Sequence, residues 1–113
     1  MKEFILDTSF IVSCVKNKID FFEELIGEKI IIPKQVIEEL KRIKESNSEL
    51  ALKILKLNSF KKIDLGKGHV DKLLIKYARE NPKVIVATLD REIKNKLKNY
   101  KLIIRGKKKL EIL

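Results

Sequence analysis

Two short apolar runs, Phe4-Ile5-Leu6 and Val84-Ile85-Val86-Ala87, each give way within three residues to an aspartate, Asp7 and Asp90, and then to helix-opening sequence. Runs this short, rich in β-branched and aromatic residues and bounded by turn chemistry, read as strands buried on both faces, the kind found in parallel sheets. The same reading gives strands over Lys2 to Leu6, Lys29 to Ile32, Phe60 to Ile63 and Lys83 to Thr88. Between them lie segments of helical periodicity: Phe10 to Val15, a short helix at Phe21 to Leu25 closed by Gly27, one from Pro33 to about Ser46, and Ser48 to Leu57. Two more follow, His69 to Glu80, broken by Asn81-Pro82, and Arg91 to Lys98. Lys101 to Leu113 reads as one or two lysine-protected edge strands around Gly106.

Strands alternating with helices predict a three-layer α/β/α fold with a central, mainly parallel sheet. In open sheets of this type ligands bind beyond the carboxyl ends of the strands, where the strand order reverses, and both aspartates fall at strand ends. The 113 residues allow one domain, spanning 1–113. No run approaches the roughly 18 to 20 uncharged apolar residues that a membrane span needs, and no signal-peptide core follows Lys2 and Glu3, which predicts a cytoplasmic protein. Cys14 is the single cysteine, so no disulfide forms within the chain and no cysteine-rich metal site exists.

Helical geometry, at about 100° per residue, selects two further acids. In the helix whose apolar stripe is Val36, Ile37, Leu40 and Ile43, Glu38 points almost opposite the stripe, whereas Glu39 lies about 90° from its centre, where it can reach a cleft. In the helix whose stripe is Val70, Leu73, Leu74, Tyr77 and Ala78, Asp71 occupies the same shoulder in the first turn. Each acid alone has an ordinary explanation: Asp7 and Asp90 as helix N-caps, Glu39 and Asp71 as flank residues. All four together at one end of a sheet would repel one another and raise their pKa values unless a cation intervened. Oxygen donors of this kind suit Mg²⁺ or Mn²⁺. Such an ion with bound phosphate supports in-line phosphodiester hydrolysis.

The net charge of +10 is uneven, with nine basic and two acidic residues over 91–113. That excess predicts a polyanion surface for nucleic acid in preference to a merely solvated lysine-rich face, with Lys94, Lys98, Arg105, Lys107, Lys108 and Lys109 as its candidate contacts. His69 is the only histidine, so a metal-free mechanism using a pair of imidazoles is excluded; it reads as a helix-start residue.

The order and spacing of four segments, FILDTSFIV, IIPKQVIEEL, HVDKLLIKYA and VIVATLDREIKNKL, resemble the PIN-domain family, small α/β nucleases that include toxins of toxin-antitoxin modules and RNA-processing factors. The similarity runs over nearly the whole chain. It implies endoribonucleolytic cleavage of single-stranded RNA with Mg²⁺ or Mn²⁺, with Asp7 and Asp90 as the main ligands and Glu39 and Asp71 completing or orienting the metal shell. Thr8, Ser9 and Thr88 would support the site, Ser9 and Thr88 by positioning carboxylates. The ending IIRGKKKLEIL resembles the archaeal ribosome-processing type more than a toxin, and the resemblance leaves a second copy, a ribosome-assembly factor or an antitoxin open as partner. Lys72 stands where many relatives have another acid, and Leu89 where many have Asn or a small polar residue. Two other readings compete. One is a catalytically silent PIN-like RNA-binding or assembly module. The other is a phosphohydrolase with a nucleophilic aspartate, whose haloacid-dehalogenase pattern expects an acid where Ser9 stands.

Overall fold

The computed structural model describes all residues 1–113. In chain order it forms β1 (Glu3–Leu6), α1 (Thr8–Lys16), α2 (Phe21–Glu24), β2 (Lys29–Pro33), α3 (Lys34–Arg42), α4 (Ser46–Lys56) and β3 (Lys61–Ile63). These are followed by α5 (Val70–Glu80), β4 (Ile85–Ala87), α6 (Arg91–Asn95), β5 (Lys101–Arg105) and β6 (Lys109–Ile112). The six strands lie in one sheet in the order β3-β2-β1-β4-β5-β6. Every neighbouring pair is parallel except the terminal β5–β6 hairpin.

The alternation of side chains along the central strands divides the interior in two. Phe4, Leu6, Ile30, Ile32, Ile85 and Ala87 point to one face, where α1 to α4 cover them with Phe10, Cys14, Phe21, Val36, Leu40, Ala51 and Leu55. Ile5, Ile31, Val84 and Val86 point to the other, under Leu74 and Ala78 of α5 and Ile93 of α6. This is the three-layer arrangement expected from the sequence.

Some boundaries differ from the sequence reading. The helix expected from Pro33 to Ser46 stops at Arg42, because the buried Ser48 hydroxyl donates to the carbonyls of Ile43 and Glu45 and accepts the Glu45 amide proton, which opens α4 two residues early. The strand expected from Lys83 to Thr88 is paired only over Ile85–Ala87, with Thr88 released into the site. The last helix ends at Asn95 rather than Lys98. Gln35 ties the loop before α5 to the start of α3. Its Nε2 donates to Asp64 Oδ1 (2.7 Å) and to the Gly66 carbonyl (2.8 Å), while its Oε1 accepts the Leu65 amide proton. That latch anchors residues 64–66 of the loop that leads into α5, whose first turn carries Asp71.

Candidate active site

The chain leaves β1 toward β2 and β3 on one side and returns through β4 to β5 and β6 on the other, so strand order reverses between β1 and β4. Asp7 follows β1 and Asp90 follows β4, which puts both at the crevice that such a reversal opens. Pairing of Leu6 with Ala87 levels the two strand ends, and the Asp7 amide donates to the Ala87 carbonyl at 2.9 Å.

Asp7 stands at the N-cap position of α1, yet its carboxylate makes no capping hydrogen bond. It turns instead to Thr88, whose Oγ1 donates to Oδ2 at 2.8 Å, with Ser9 Oγ a longer donor to the same oxygen at 3.4 Å. Thr88 Oγ1 also accepts the Asp90 amide proton (3.1 Å), and Ser9 Oγ accepts the Leu89 amide proton (3.1 Å). The segment Thr88-Leu89-Asp90 is therefore stitched to the start of α1 by two hydroxyls. Asp90 does cap its helix, accepting the Glu92 amide proton at 2.9 Å. The third small residue, Thr8, buries its Oγ1 without a hydrogen-bond partner.

Asp7 is 5% exposed. Burial pushes its carboxyl above the usual aspartate range; the Thr88 hydroxyl and the Thr8 amide hold it down, and the charges of Glu39 and Asp71 push it up. Asp71 is also raised, by desolvation first and then by the charges of Asp90, Glu39 and Glu92, with His69 opposing. The four acids selected from sequence thus lie in one electrostatic neighbourhood. Glu39 is half-buried while Glu38 is exposed, as the helical angles require. Glu92, in the first turn of α6, is a fifth acid that sequence reasoning missed; its only signal was a second carboxylate two residues after Asp90. His69 occupies the N-cap position of α5.

No basic side chain neutralises this cluster. The chain has 26 lysines and arginines, yet its ion pairs are Lys29–Glu3 and Arg105–Glu111, neither involving the strand-end acids. Nor do three or more acidic, histidine or cysteine side chains close into a set able to hold an ion unaided. An uncompensated, all-oxygen and open donor set fits an ion such as Mg²⁺, which takes one or two carboxylates and keeps its remaining positions for water and phosphate.

The residues expected to meet RNA fall in two places. β5 runs parallel to β4 and continues past its last pairing, Ala87 with Leu102, for three more residues. At about 3.3 Å per residue the β5–β6 turn therefore projects about 10 Å beyond the acid end of the sheet. Lys107, Lys108 and Lys109 are exposed there, and Arg105 pairs with Glu111. Lys94 is half-buried on α6, and exposed Lys98 lies beyond that helix.

Comparison with known proteins adds three findings. A family model described as a PIN-like domain matches residues 4–107. The chain is 34% identical to ribonuclease VapC4 of Methanocaldococcus jannaschii over 127 aligned positions, covering 99% of this chain and 97% of that protein. The solved structure of the PIN domain endonuclease Utp24 superposes with a TM-score of 0.84 at 25% identity, covering 98% of this chain and 92% of that one.

Proposed function

The chain belongs to the PIN-like domain family, and from that premise we propose that it is a divalent-metal-dependent endoribonuclease that hydrolyses single-stranded RNA at the crevice between β1 and β4. The observation that carries the reading is Asp7: a buried carboxylate, held in place by hydroxyls and crowded by other acids, with no cation of the protein beside it. A carboxylate merely capping a helix would turn to the helix amides and stay solvated.

In this reading Asp7 and Asp90 are the principal ligands of Mg²⁺ or Mn²⁺, and Glu39 and Asp71 complete or orient the shell. The ion, when bound, acidifies a water and stabilises the entering and leaving oxygens of the phosphodiester. The chain's own contribution is placement. Thr88 and Ser9 fix the rotation of the Asp7 carboxylate, and the Asp90 amide bonded to Thr88 sets the distance between the two strand-end acids. Glu39 and Asp71 hold negative charge against the crevice from the two opposite helical layers. The β5–β6 turn, with Lys107, Lys108 and Lys109 and with Arg105 at its base, offers phosphate contacts above the same end, while Lys94 on α6 and Lys98 beyond that helix are basic groups away from the turn. We extend the proposal to RNA processing in the cytoplasm as the setting of this activity.

The test is cleavage of a labelled single-stranded RNA with Mg²⁺, Mn²⁺ or EDTA, beside Asp7→Asn purified identically. Metal-dependent cutting by the parent and none by the variant is expected. Equal cutting by both would remove the assignment, and salt-sensitive RNA binding without cutting by either would give the chain to a catalytically silent RNA-binding role.

A further inference from the structure

Lys72, Lys76 and Arg79 recur on α5 at spacings of four and three, which places them on one face of the helix. With Ile75, Glu80 and Lys96, they line a cavity of about 350 Å³. Arg79 and Lys96 also line a neighbouring cavity of about 370 Å³ with Pro82, Lys98 and Asn99. Sharing two residues makes these one trough between α5 and the segment that follows α6. Its walls are tied together, since Arg79 Nη2 donates to the Lys96 carbonyl at 3.0 Å. None of its basic groups is engaged in an ion pair, and Glu80 is the one acid lining it.

Lys72, at the upper end of the trough, lies one residue after Asp71 in the first turn of α5, on a face of the helix about 100° away from it, and from Asp71 to Arg79 the helix descends about 12 Å at about 1.5 Å per residue. We propose that the trough binds the sugar-phosphate backbone of single-stranded RNA on one side of the bond being cut. This inference rests on the ribonuclease reading of the acid crevice. The lining favours phosphate over an acidic protein partner, because Ile75 is its one lining residue of apolar core type, whereas protein interfaces have apolar, often aromatic centres. Without aromatic side chains to stack bases, it would hold the strand by charge, independent of sequence. The α5–α6 trough and the β5–β6 turn would then be separate contacts, one flanking the crevice and one above it.

The experiment compares Lys72→Ala/Lys76→Ala/Lys96→Ala with a charge-matched control on the other helical layer, Lys16→Ala/Lys53→Ala/Lys56→Ala, after circular dichroism shows both folded. Binding of a single-stranded RNA of about twelve nucleotides is measured in EDTA across a salt series, and cleavage is measured with Mn²⁺ on that RNA and on one of about four nucleotides. Removing three phosphate contacts should lower the slope of log affinity against log salt by about 2, with the control unchanged. KM for the long RNA should rise about tenfold or more at unchanged kcat, and cleavage of the short RNA should be preserved. Slope and KM matching those of the control would overturn the trough. A parent that cuts neither RNA, while the trough variant still loses its salt slope, would remove the ribonuclease reading and keep the trough as an RNA-binding surface.

Discussion

Thr88 donates its single hydroxyl proton to Asp7 and accepts the Asp90 amide proton on the same oxygen, so one atom spaces the two strand-end acids. Thr88→Val keeps the volume and removes both bonds; losses of supporting hydrogen bonds of this kind reduce metal affinity or activity about 10- to 100-fold, and Thr88→Ser should restore most of it. Activity with titrated Mn²⁺ reads both effects. For Asp7 the sign of the pH dependence follows from burial, which raises its folded pKa above the ordinary aspartate value of 3.8. Between the unfolded and folded values the native state holds more protons, so this group's contribution to stability falls as pH rises through that window. Metal-free Asp7→Asn should therefore melt at a higher temperature than the parent at pH 7, with the advantage shrinking as the pH falls through that window and lost once it is below 3.8. An equal or lower Tm at pH 7 would contradict the burial argument. The sequence pointed to four of the five acids around the crevice because a strand end and a helix shoulder are periodic properties, and it passed over Glu92. It did not show that Asp7 turns away from its helix, since capping and non-capping aspartates share the same local pattern, and only the packing of Thr88 from 81 residues away decides between them.

Asn99 does for the elements what Thr88 does for the acids. Buried at 6% exposure, its amide nitrogen donates to the carbonyls of Ala78, Asn81 and Val84, joining the end of α5, the turn after it and the entry to β4. Asn99→Ala should cost about 1–3 kcal/mol, the cost of leaving buried carbonyls short of a donor, measured as a lower urea midpoint; an unchanged midpoint would mean that water replaces the amide. Nothing local singles out Asn99, which reads as a loop residue between Lys98 and Tyr100. The elements themselves were legible because apolar runs of period two and stripes of period 3.6 alternate cleanly. Their ends were less so, and for a tertiary reason: Ser48 breaks the α3 to α4 passage by bonding carbonyls upstream, and β4 is only as long as its partners, Phe4 to Leu6, allow.

Across the whole molecule the two interior layers are unequal. The buried cluster under α1 to α4 has 18 residues, and the one under α5 and α6 has eight. Asp7 and Glu39 are carried on the thicker side, Asp71 and Asp90 on the thinner. Regions with fewer buried apolar contacts open at lower free energy, so amide exchange in α5 and α6 should outpace that in α1 and α3. Mn²⁺ should slow it, because an ion binding only the closed site stabilises the native state by about 2.7 kcal/mol at one hundred times its Kd. Exchange slower in α5 than in α3 would contradict the asymmetry. The thin layer has a wider meaning for how such a protein idles. An ion joining acids from both layers would also be the clasp between them, so the molecule would be most firmly shut when equipped to cut and would slacken along one flank when it is not. Scarcity of divalent ions would then act first on the shape of that flank, making the stock of competent molecules follow the ion supply even where the amount of protein is constant.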